Sequence, residues 1–240
     1  MSLEQTNSKH VRVVPLSVSQ NTALERLDND FAVGIPFNYE ELFDNNAVNA
    51  CAFISVTLAH LLLSDTELTN ILQHAMQDKI IETAEQVIND FPRYFNMLRD
   101  PDRTYDAQEA CQILQKAGVI NKLYDLTEEI ISSSCVFSTN GEELLRNAIL
   151  NLQRQSGDSK VSVAIYTCGK YVLLIGCVAG KVFLVDSHPV VEKACGEKTG
   201  VAIFSEGHAS ECHEFIRKWL VKRLKRSGVT GGSMQSFAIM

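Results

Sequence analysis

No Cys-x-x-Cys pair occurs anywhere in the sequence, and no apolar run approaches the ~18 residues that a membrane-spanning helix needs. The first ten residues, MSLEQTNSKH, also lack the charged and apolar blocks of a signal peptide. The seven cysteines, at positions 51, 111, 135, 168, 177, 195 and 212, form an odd set that fits neither a secreted disulfide framework nor a zinc ribbon. A basic surplus is missing too: the net charge is −7, which argues against nucleic acid as the main partner and is compatible with a basic protein substrate. These absences lead to the expectation of a soluble, cytoplasmic protein with reduced thiols, no membrane or nucleic-acid partner, no metal and no cofactor.

What is present is a 240-residue chain with 45% hydrophobic residues, enough to bury a full-sized core. Residues 1–28 are polar and without sustained period, apart from one short strand expected over Val11–Leu16, and read as a loosely ordered lead-in. Residues 29–240 are expected to form one domain. From Cys51 to Leu63 almost no polar face remains, the pattern of a helix buried on all sides. Ser64-x-x-Glu67 and Asp106-x-x-Glu109 are capping boxes, Gly118 is the expected stop of the second helix, and the stretch 64–133 reads as mostly helical. Asn140 is a candidate cap for a further helix through Leu152.

From Val161 the pattern changes to short β-rich runs: Val161–Cys168, Tyr171–Cys177, Lys181–Val185 and Val201–Phe204. Gly169-Lys170 and Ala179-Gly180 sit between the first three as tight connections, giving an antiparallel meander. Phe215–Leu224 reads as a last helix, its basic run Arg217–Arg226 a solvated face, and Ser236–Met240 reads as an edge strand. The fold class is therefore α+β, with a buried N-terminal helix packed on an antiparallel sheet, a helical middle region (64–133) and a β-rich part (161–240).

Two features carry chemistry. Cys51 opens the buried helix, where unpaired N–H groups and the helix dipole favour an anionic sulfur. Far downstream, the apolar run Val182-Phe183-Leu184-Val185 ends in Asp186-Ser187-His188, and residues two apart on a strand share a face, so the Asp186 carboxylate reaches the His188 ring and fixes its tautomer. A helix-borne Cys followed by a strand-borne His is the chain order of papain-like hydrolases. An oxyanion donor upstream of the nucleophile is also required, and Asn38, Asn45, Asn46 and Asn49 all qualify by chemistry. The remaining cysteines and the other histidines read as packing, capping or surface residues.

The stretch Asn38-Tyr39-Glu40-Glu41-Leu42-Phe43 leading to Asn49-Ala50-Cys51, the hydrophobic helix after it, and Phe183-Leu184-Val185-Asp186-Ser187-His188 together resemble the herpesvirus large-tegument-protein deubiquitinases and their tegument-like relatives. The resemblance implies a papain-like fold and cleavage after the C-terminal Gly-Gly of ubiquitin or a ubiquitin-like protein. It implies Cys51 as nucleophile, His188 as general base, Asp186 as its orienter and Asn38, where the family carries Gln, as oxyanion donor. Ubiquitin or its chains would be the partner, with region 64–133 helping to hold the distal one. Cys51-Ala52-Phe53 also resembles the Cys-x-Phe of ovarian-tumour deubiquitinases, although Asn49-Ala50 stands where that family has Asp-Gly. The rival readings are a catalytically silent ubiquitin-binding module on the same fold and a papain-like acyltransferase or deamidase.

Overall fold

The structure, a computed structural model, describes residues 30–36, 50–65, 78–84, 86–87, 103–122, 126, 128–157, 160–192, 196–205, 209–226 and 228–240. The expected strand over Val11–Leu16 and the Ser64-x-x-Glu67 box fall outside them in whole or in part. In chain order the elements are β1 (Asp30–Pro36), α1 (Cys51–Ser64), α2 (Ala107–Lys116), β2 (Glu128–Ser132), α3 (Thr139–Ser156), β3 (Val161–Cys168), β4 (Tyr171–Val178), β5 (Lys181–Glu192), β6 (Gly196–Ser205), α4 (Ala209–Arg226) and β7 (Gln235–Ile239).

The strands form one seven-stranded sheet in the order β1-β6-β5-β4-β3-β7-β2, and every described pairing is antiparallel. Side chains alternate across its pleat. Val163, Ile165, Val172, Leu174, Phe183 and Val185 join the core beneath α1 and α2, whereas Tyr166, Leu173, Ile175, Val182 and Leu184 join the core beneath α3 and α4. Because helices cover both faces, the central strands are apolar along nearly their whole length rather than alternating with polar residues. The helix α1 is buried around its circumference because α2 and the helical segment 78–84 lie outside it; only its last turns emerge, with Leu61 exposed.

This is the α+β layering expected from the sequence, a cysteine-headed buried helix on an antiparallel sheet. Several boundaries differ. The Asp106 side chain and Glu109 form the predicted reciprocal cap of α2, and Gly118, at φ +71, follows its end. The cap of α3 is Ser138, which accepts from Gly141 N at 3.1 Å, and not Asn140. Region 64–133 is not helical throughout: β2 lies inside it, specified by pairing to β7 and not by any local period. The terminal strand β7 is not an edge but runs between β3 and β2. β5 continues past Val185 to Glu192, and β6 begins at Gly196, five residues before the expected Val201.

Gly141 shows how closely the layers approach. A Cβ there would overlap the Cys135 carbonyl, and the Gly141 carbonyl itself accepts from Gln235 Nε2 on β7 at 2.9 Å. The atoms a Cβ would meet are all backbone, of Ser134 and Cys135, so they cannot yield cheaply. Gly141→Ala should therefore destabilise the protein by about 1–3 kcal/mol, as overpacking does. Urea denaturation checks this: the midpoint falls at unchanged slope, and a wild-type midpoint would contradict the packing described.

Candidate active site

The first turn of α1 places Cys51 at the end of the sheet. Its N-cap, Ala50, provides no side-chain hydrogen bond, and the first turn contains no acidic residue. The positive end of this buried helix is thus left to whatever lies beside Cys51. Cys51 is buried, with 8% of its surface exposed, and its sulfur sits 3.7 Å from the Lys170 carbonyl in the β3–β4 turn.

Asp186 and His188 come from β5, at a break in its register. Asp186 pairs with Val201 of β6, but the next pair joins Val190 to Thr199, so β5 carries two extra residues at this point. Such a bulge re-aims side chains. Alternation turns Asp186, like Val182 and Leu184, toward α4, while His188 meets both that carboxylate and the sulfur at the head of α1. The His188 Nδ1 lies 2.7 Å from Asp186 Oδ1, and its backbone N–H donates to the same oxygen at 3.0 Å. With Nδ1 engaged by Asp186, the other side of the ring is left for Cys51, which lies close enough to raise the pKa of the ring. The structure therefore brings together Cys51, His188 and Asp186; Asn38, Asn45, Asn46 and Asn49 lie outside the described residues.

Three residues not singled out by sequence complete the surroundings. Trp219 Nε1 and Arg223 Nε, both on α4, donate to Asp186 Oδ2 at 3.1 and 2.9 Å, and Arg223 Nη2 donates to the His188 carbonyl at 3.0 Å. The Tyr171 ring stacks on the imidazole with centroids 4.2 Å apart. The expectation that the basic run Arg217–Arg226 is a solvated face is corrected at Arg223, which is buried and ion-paired. The signal that could have found it is the sole tryptophan, Trp219, four residues before it: i and i+4 share a helix face, and a tryptophan face is a buried one.

The electrostatics follow from this arrangement. Burial pushes the Asp186 carboxyl upward, but the His188 ring, its hydrogen bonds and the Arg223 guanidinium outweigh that and hold it down to about 2. Burial pulls the His188 ring downward, but Asp186, by hydrogen bond and charge, and Cys51 raise it to about 10. An imidazolium flanked by a carboxylate and a sulfur can stabilise a thiolate and later deliver a proton.

The other described cysteines differ. Cys111, Cys135, Cys168 and Cys177 are wholly buried, and burial together with Cys135 pushes the Cys168 thiol up to about 11. His60 is a core histidine whose Nε2 accepts from Asn121 N at 3.3 Å and whose pKa burial lowers. Glu142, His213 and Glu214 bring ligand-type atoms within 4.8 Å of one another, but Arg217 already pairs with both carboxylates, at 2.9 and 3.4 Å. Among the described residues no helix is long and apolar enough to cross a membrane.

Beside Cys51 runs a cleft of about 230 Å³. Thr104, Tyr105, Asp106 and Glu109, at the start of α2, form one wall, and Thr167, Gly169, Lys170 and Val172, around the β3–β4 turn, form the other. Cys51 lines the cleft together with both walls.

No family model matches the chain, and no curated protein matches it. Among solved structures it is similar to the Pseudomonas avirulence protein AvrPphB, at 14% identity and a TM-score of 0.40, over 83% of this chain and 94% of that one. That likeness is too remote to bear on the chemistry, which rests on the side chains themselves.

The paired shifts set a pH window for stability. Asp186, lowered from 3.8 to about 2, contributes stability above pH 3.8 that is lost as pH falls through 2. His188, raised from 6.5 to about 10, contributes stability that is complete below pH 6.5 and lost as pH rises through 10. The stability difference between wild type and His188→Asn, from urea melts at a series of pH values, should be largest between pH 3.8 and 6.5 and shrink toward pH 10. A difference that grows above pH 6.5 would contradict the ion pair.

Proposed function

We propose that this protein is a cysteine-dependent hydrolase that cleaves after the C-terminal Gly-Gly of ubiquitin or a ubiquitin-like protein. The observation that carries the reading is the His188 ring, held by Asp186 at 2.7 Å and close enough to Cys51 for that residue to raise its pKa, with Cys51 lining a cleft. Cys51 attacks the carbonyl carbon of the scissile bond, and its electron pair forms the thioester precursor. The His188 Nε2 then delivers its proton to the departing amine, and the acyl-enzyme forms. Water, deprotonated by the same nitrogen, releases the acyl group and regenerates the thiol. Asp186 keeps Nδ1 engaged throughout, so that Nε2 alone faces the reaction.

The developing oxyanion falls near the uncapped first turn of α1, whose N–H groups point toward it, and the sequence resemblance adds Asn38 as a side-chain donor. Ubiquitin specificity rests on that resemblance. One contact favours the rival reading of a catalytically silent binding module: a neutral Cys51 thiol would donate to Lys170 O at 3.7 Å instead of engaging the ring.

Incubation with a ubiquitin C-terminal electrophile separates these readings. Mass spectrometry should find one covalent adduct, located on Cys51 and lost in Cys51→Ala, with cleavage of a ubiquitin substrate lost in the same variant. A protein that binds ubiquitin without forming the adduct would be the binding module, and cleavage retained by Cys51→Ala would move the role to another thiol.

A further inference from the structure

Asp186 has no exposed surface, and its two oxygens are divided between two elements. Oδ1 takes both donors from His188, and Oδ2 takes both donors from α4. Arg223 reaches further: it also holds the His188 carbonyl, and its guanidinium lies 5.8 Å from the centre of the Tyr171 ring that stacks on the imidazole. One residue of α4 thus touches the carboxylate, the backbone and the aromatic neighbour of the same histidine.

We infer that Arg223, seconded by Trp219, is a positioning residue for the reaction, holding Asp186 ionised and turned toward His188 through the stage at which the imidazole is neutral. The inference rests on Cys51 being the nucleophile. During turnover the ring gives up its proton to the leaving amine, and Asp186 is then a buried carboxylate without its imidazolium. Among the described residues the charged or titratable groups facing the pair are Cys51 on α1, Tyr171 on β4 and Arg223 on α4, so Arg223 is the cation that remains. Without it the carboxylate would be driven to take up a proton, because burial penalises an unpaired charge. A protonated Asp186 no longer anchors the imidazolium, and the thiolate loses its counter-ion.

The test uses iodoacetamide, which needs no knowledge of the substrate, and follows Cys51 alkylation by mass spectrometry across the acid and neutral pH range. In Arg223→Gln the acid limb should move to higher pH, and the rate at neutral pH should fall by up to about 100-fold, the penalty of a misplaced catalytic group. Arg223→Lys keeps the charge without the forked geometry and should restore the acid limb while recovering only part of the rate. Trp219→Phe keeps the ring without the donor, guards against a variant that fails to fold, and should shift the limb in the same direction by less. A wild-type limb and rate in folded Arg223→Gln, or a loss equal at every pH that tracks thermal stability, would overturn the inference. Wild-type Cys51 that reacts no faster than free cysteine would instead overturn the reading of Cys51 as nucleophile.

Discussion

A carboxylate shut away from solvent between a sheet and a helix must be matched by donors, since breaking a buried pair typically costs about 3–5 kcal/mol. Asp186 meets this requirement with four donors, two from its own strand and two from α4, and no capacity is wasted. The docking of α4, the orientation of His188 and the charge on the ring all follow from that one saturated group. Removing any one of the three residues that supply these donors would disturb the other two, because a buried hydrogen-bond network acts as a unit and not as separate contacts.

The requirement also explains why β5 is bulged. Strict alternation along β5 points Asp186 at the α4 side of the sheet, whereas Cys51 belongs to the helix on the other side. A regular strand would carry Asp186 and His188 together to one face and leave the sulfur beyond reach. The two extra residues in β5 opposite β6 release His188 from the pleat, so that its ring stays on Asp186 and comes near enough to Cys51 to be influenced by it. The helix α1 contributes its end rather than its side, so the uncapped N–H groups and the ring converge on the same sulfur.

The pattern of the molecule was legible in the sequence wherever a local period or cap specified it. The unbroken apolar run after Cys51, the Asp106-x-x-Glu109 box and the turns at Gly169 and at Ala179-Gly180 all recur in the structure, the last with both residues at positive φ. What was not legible depended on distant pairing. β2 is a strand because β7 offers it a partner, and β7 is interior for the same reason. Arg223 reads as one cation in a basic run, and only the position of β5 beneath α4 makes it the counter-ion of Asp186. Cys51, Asp186 and His188 could be named from a helix start and a strand end, but the bulge that lets them meet has no sequence mark.

Everything at this site depends on His188 being an imidazolium between Asp186 and Cys51. Nitrogen-15 NMR of the labelled protein, following the two ring nitrogens of His188 with pH, tests it most directly. The ring is expected to stay doubly protonated well above pH 6.5, with its transition toward 10, and Cys51→Ala is expected to lower that transition. A ring that titrates near 6.5, unaffected by loss of the sulfur, would contradict it.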